Sequence, residues 1–69
     1  MADSGLPDDA QIIVEAYSDR VRDLFKVFVE AVASGEPDRD AVVKFKRNLL
    51  AAQRVRDLSL QAAKEVAGS

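Results

Sequence analysis

Ser34-Gly35-Glu36-Pro37 interrupts an otherwise helical sequence once, near its middle. Upstream, Ala10, Val14, Tyr17, Val21, Leu24, Phe28 and Ala31 recur at alternating steps of four and three. Downstream, Val42, Phe45, Leu49, Ala52, Arg56, Ser59, Ala63 and Val66 recur at steps of three and four. That is the period of packed helices, whereas strands repeat every second residue. Gly35 supplies the left-handed residue that ends helices. Pro37 cannot continue the first helix but suits the first turn of the second. The expected fold class is all-α, a two-helix antiparallel hairpin that dimerises into a four-helix bundle.

The expected boundaries follow from the same signals. Residues 1–7 form a flexible N-terminal tail, and residues 8–67 form a single hairpin domain. The first helix covers about 8–34, the turn about 35–37, and the second helix about 38–67. Asp8 followed three residues later by Gln11 has the arrangement of a capping box. Either Glu36 or Asp38 caps the second helix. Folding the second helix back on the first pairs residues whose numbers sum to 73. Phe28 then meets Phe45, Leu24 meets Leu49, Val21 meets Ala52, Tyr17 meets Arg56 and Val14 meets Ser59.

The chain has 69 residues, no cysteine and no histidine. A domain of this length buries only about 60% of its unfolded surface. Small scaffolds usually add disulfides, a metal or a second copy of themselves. Disulfides and thiolate sites are excluded here, and the commonest transition-metal ligand is absent. Oligomerisation is the remaining staple. The N-terminal MADSGLPDDA has no basic n-region and no apolar run, unlike a secretory signal. No stretch approaches the roughly 18 apolar residues of a membrane span. The chain reads as cytoplasmic, with no membrane partner.

Net charge is only −2 but is unevenly placed. Residues 1–40 hold ten acids and four bases, a balance of −6; residues 41–69 hold two acids and six bases, a balance of +4. Each helix therefore prefers the other to its own copy as a neighbour. Beside the main stripe, Phe25, Val29 and Val32 form a second apolar row on the first helix. Ala51, Val55, Leu58 and Ala62 do so on the second. Each apolar arc is wider than one neighbour covers, so two hairpins are expected to close the core. The expected core or dimer interface comprises Val14, Tyr17, Val21, Leu24, Phe25, Phe28 and Val32, with Phe45, Leu49, Ala52, Val55, Ala62 and Val66.

No constellation of catalytic residues emerges. Glu15, Asp19 and Asp23 lie one turn apart on a polar face among Arg22 and Lys26, whereas acid–base catalysis needs a water-poor cleft. Glu36, Asp38 and Asp40 lack the twelve-residue pattern of a calcium loop. Ser18, Ser34 and Ser59 have no histidine to activate them. Gly5, Gly35 and Gly68 are isolated rather than a phosphate-binding loop. The expectation is a non-enzymatic protein with no cofactor and no metal.

Two surface features remain. Lys44, Lys46, Arg47, Arg54 and Arg56 fall close together on the second helix, but only Arg47 and Arg54 share a face, with Lys46 to one side. Nucleic-acid binding needs clustered bases on one face, so this scatter argues against it, and it stands as the alternative reading. Val43 and Leu50 are seven residues apart on the side away from Phe45. With Arg47 and Arg54 they form a mixed strip suited to a protein partner. Arg56 interrupts the core stripe, either packing on Tyr17 or snorkelling outward.

Two architectural resemblances bear on function. Over residues 8–67, the two heptad helices joined at Gly35–Pro37 resemble the small RNA-binding ROP-type plasmid regulators. That resemblance implies two hairpins in an antiparallel four-helix bundle and, as the alternative function, a nucleic-acid-binding regulator. It transfers no RNA-contacting residue. Pro37, Ala41-Val42-Val43, Phe45, Arg56 and Ala62-Ala63-Lys64 look like the C-terminal helix of type III secretion needle subunits, although the paired-proline turn common in needles is absent. That resemblance implies a small helical component or chaperone of a secretion apparatus. The leading expectation is a self-associating protein-interaction or adaptor unit whose partner is itself, with another protein as a second partner class.

Overall fold

The structure is a computed structural model that describes residues 8–68. The tail expected over residues 1–7 lies outside the described residues. Two helices account for nearly all of the rest: α1, Asp9–Ala33, and α2, Asp38–Ala67. They pack against each other as an antiparallel hairpin.

The turn is built by backbone hydrogen bonds. Glu36 N–H donates to the Ala31 carbonyl at 3.0 Å, and Gly35 N–H to the Val32 carbonyl at 3.2 Å. This crossed pair satisfies carbonyls that α1 would otherwise leave open, the arrangement known as a Schellman motif. It requires a left-handed residue, and Gly35 has φ of 97°. Lys44 Nζ then lies 3.0 Å from Glu36 Oε2, tying the turn to the second turn of α2. The contact is Coulombic, because its angles leave that buried oxygen without a hydrogen-bond donor.

Three capping expectations change. Asp8 is the N-cap of α1, but its side chain makes no capping bond. Gln11 Nε2 instead donates to Glu15 Oε2 one turn ahead at 3.2 Å, so no capping box forms. Pro37 is the N-cap of α2 rather than part of its first turn, and no side chain caps that helix. Neither Glu36 nor Asp38 does so. Asp38 and Asp40 still place negative charge in the first turn, where the helix dipole favours it.

The expected register holds at two separate layers. The rings of Phe28 and Phe45 stack with centroids 4.8 Å apart. Eleven positions nearer the open end, the Arg56 guanidinium lies 4.5 Å from the centre of the Tyr17 ring. Both pairs sum to 73. Leu24 and Ala41 are the buried residues of the seam, 5% and 2% exposed.

The heptad phase shifts toward the ends. Ile13 is partly covered while Val14 is exposed, and Ala41 is buried while Val42 is exposed. A straight helix drifts by about 20° per heptad relative to a strict seven-residue repeat. Beyond the Tyr17 and Phe45 layers, toward each helix N-terminus, the neighbouring residue therefore enters the seam instead. Val66 is also exposed, because α2 continues past the start of α1.

The hairpin measures 51 × 21 × 9 Å with a radius of gyration of 16.2 Å. A compact chain of this length has a radius of roughly 11 Å. The molecule is therefore a slab one helix thick. Two effects should be separable by urea unfolding. Leu24→Ala should lower stability by about 2–5 kcal/mol, as a buried leucine truncation does. Gly35→Ala should cost about 1–2 kcal/mol from backbone strain alone, since a Cβ there meets no atom within 4 Å.

Candidate functional site

A one-layer slab has two broad faces and two outer edges, and the side chains are distributed unevenly among them. Right-handed turning at 3.6 residues per turn fixes which residue points where once the seam is known. Phe25 lines a groove with Val21 and Phe45. Val14, Val29, Val32 and Val42 lean to the same side, called the front here. On the opposite side, Val55 lines a groove with Ile13, Ala16, Tyr17 and Arg20. That groove continues past Ile12, Ala62 and Val66. Val27 lies on this back face nearer the turn, beside Lys44, and Leu58 leans toward it.

The second apolar rows are therefore both exposed, but they do not share a face. The Phe25, Val29, Val32 row of α1 looks to the front, near the turn. The Val55, Leu58, Ala62 row of α2 looks to the back, nearer the open end. The expectation of a core closed by two hairpins rests on rows that flank one interior. A periodic pattern gives the width of an apolar arc, whereas the face it occupies depends on the antiparallel direction of the neighbouring helix.

The remaining interface candidates fall into two groups. Tyr17, Val21, Phe28, Phe45, Leu49 and Ala52 are partly covered within the seam beside Leu24. Val14, Phe25, Val32, Val55, Ala62 and Val66 are exposed in the hairpin. Sequence reasoning left out Ile12 and Val27, both exposed on the back face. Their signal was available as large apolar residues outside the main stripe.

Arg56 occupies the seam without being fully buried. Its side chain is 31% exposed, and its guanidinium rests on Tyr17. Nε and Nη2 both donate to Asp57 Oδ1, at 3.1 and 3.0 Å. The charge stays partnered and partly wet while the stem covers apolar surface. Arg20 lines the same groove.

The basic side chains of α2 diverge. Lys44 pairs with Glu36 on the back, while Lys46 leans to the front. Arg47 and Arg54 lie on the outer edge with Val43 and Leu50, and all four are exposed. Among the described residues, no group of acids, histidines or cysteines could hold a metal ion, and no helix is long and apolar enough to cross a membrane. The acidic residues Glu15, Asp19 and Asp23 are exposed, and Asp19 pairs with Arg22 at 3.0 Å.

No family model, curated protein or solved structure matches this chain. The geometry of the hairpin is thus the basis for any functional reading. One part of it is directly testable. Arg56→Leu should leave thermal stability unchanged or slightly raised, because a leucine keeps the packing and removes a partly desolvated charge. Tyr17→Ala should lower stability by about 1–3 kcal/mol through lost ring contacts. Circular dichroism melts of both variants at equal concentration provide the measurement.

Proposed function

We propose that this chain is a non-enzymatic helical hairpin whose role is association, first with its own copies and through them as a protein-interaction or adaptor unit. The observation that carries the reading is the one-layer architecture with large apolar side chains on both faces. Domains ordinarily bury apolar surface between two or more layers of secondary structure. Here Phe25 is 55% exposed and Val55 62% exposed, although each belongs to a row at helical spacing. Singly exposed aliphatics are ordinary, but rows on both faces are what a protein-interaction surface presents.

The smallest assembly that supplies a second layer is a pair of hairpins, a four-helix arrangement. Each face spans 51 × 21 Å, on the order of 1,000 Å², against roughly 800 Å² per partner in a standard protein interface. The functional mechanism in this reading is burial, with the seam setting the shape and the faces providing the contact. The edge strip of Val43, Arg47, Leu50 and Arg54 stays outside such a pair and is the surface available to another protein.

Association linked to folding makes stability depend on concentration. Light scattering should give a mass above that of the single 7.5 kDa chain. The melting temperature should rise with concentration, each tenfold increase adding about 1.4 kcal/mol of apparent stability to a dimer. Val43→Asp/Leu50→Asp should leave both helicity and association intact. A single-chain mass at high concentration, with a melting temperature indifferent to dilution, would overturn the proposal.

A further inference from the structure

The front and back faces of the hairpin differ in a way that decides how copies fit together. Twelve large apolar side chains are exposed among the described residues. Val14, Phe25, Val29, Val32 and Val42 lean to the front, and Ile12, Val27, Val55, Leu58 and Val66 to the back. Val43 and Leu50 lie on the outer edge of α2. Neither face is the polar one.

A two-fold dimer joins the same face of both copies. Joined by their fronts, two hairpins would leave the Val55 row in water. Joined by their backs, they would leave Phe25 and its row uncovered. Each closed dimer thus satisfies one helix's second row and strands the other's.

We propose that the hairpin associates front to back, the front of one copy seated on the back of the next. This rests on the self-association proposed above and names its partner surface, a second copy of this chain in a non-equivalent orientation. The second hairpin is rotated by half a turn about the normal to its faces, so its turn lies at the opposite end while front still meets back. The Phe25 row of α1 then lies along the partner's α2. Val21 faces the partner's Ala51, Phe25 faces the partner's Val55, and Val32 faces the partner's Ala62. Large side chains on the front meet smaller or aliphatic ones on the back, as ridges fit grooves.

Charge supports the same fit. Asp9–Ala33 carries five acids and three bases, and Asp38–Ala67 four acids and seven bases. In the front-to-back arrangement each α1 lies between its own α2 and the partner's α2, opposite charge on both sides. At the rims, Arg39 comes opposite the partner's Asp9, and Gln53 opposite the partner's Asp23. Such exposed pairs select orientation more than they stabilise. The contact does not use up its own surface, since the second copy still offers a free front. Non-equivalent contacts of this kind build rings or open stacks rather than a closed pair.

Mixing two face variants tests the proposal. Phe25→Asp/Val32→Asp disables the front, and Val55→Asp/Ala62→Asp disables the back. Circular dichroism confirms that each keeps its helicity, and light scattering reads mass. Front-to-back contact predicts that each variant alone is a single chain, with association at least tenfold weaker than wild type. Mixed in equal amounts, they should form a one-to-one pair and nothing larger, using the one intact front and the one intact back. If either variant alone self-associates like wild type, the contact is a closed two-fold dimer. That result overturns this inference and leaves self-association standing. A wild-type chain that stays single overturns both. Should a variant lose helicity, oxidation of mixed Phe25→Cys and Val55→Cys chains decides, as the native chain has no cysteine. Disulfides between positions 25 and 55 support the proposal, and a predominance of 25–25 or 55–55 adducts overturns it.

Discussion

The seam between α1 and α2 is one side chain deep, and the rest of the structure depends on that limit. Two helices offer a single line of mutual contact. Along it, Phe28 stacks on Phe45, Leu24 and Ala41 are buried, and Tyr17 supports Arg56. Val21, Leu49 and Ala52 are partly covered beside them, and most of the rest of either helix is exposed. Helices of 25 and 30 residues are long enough to be partly stable as isolated segments, yet most helical stability in proteins comes from burying an amphipathic face. A seam this narrow supplies little such burial. Under the association proposed above, stability and association would be the same property viewed at two scales.

The register was readable from sequence because the turn constrains it tightly. Gly35 at positive φ and the paired bonds from Gly35 and Glu36 fix where α1 ends. Pro37 at the N-cap fixes where α2 begins. With so short a connection, only a small range of pairings is open, and the stacks at Phe28 and Tyr17 confirm the one expected. Less readable was the phase near the helix ends. A strict heptad names Val14 and Val42, but straight helices bring Ile13 and Ala41 inward. The capping box failed for a local reason. Gln11 has Glu15 within reach one turn ahead, and that partner competes with the helix start.

The faces were the least readable part of the candidate site. Phe25 and Val55 each announce a second apolar row by spacing. Spacing alone treats the two helices as separate cylinders. Their rows separate to front and back only after α2 is reversed beside α1, because reversing a right-handed helix exchanges the sides on which its successive residues appear. A parallel neighbour with the same spacing would present the rows differently. The distinction changes the assembly expected from the chain, although no side chain or interhelical pair in the seam changes with it.

Polar chemistry follows the same geometry. The ion pairs of Arg22 with Asp19 and Arg56 with Asp57 are local, the first largely solvated and the second partly so, so they shape side chains without holding the fold. The Glu36–Lys44 pair spans the turn instead, where it reinforces a geometry already set by backbone bonds. The bases of α2 point to the back, the front and the outer edge. A concave site needs convergent groups shielded from water, and a slab one helix thick provides neither convergence nor shielding. What it does provide is a rigid register, an extended area and two chemically distinct faces. Those attributes suit the front-to-back association proposed above, in which selectivity would lie in the match between the two surfaces rather than in any single residue.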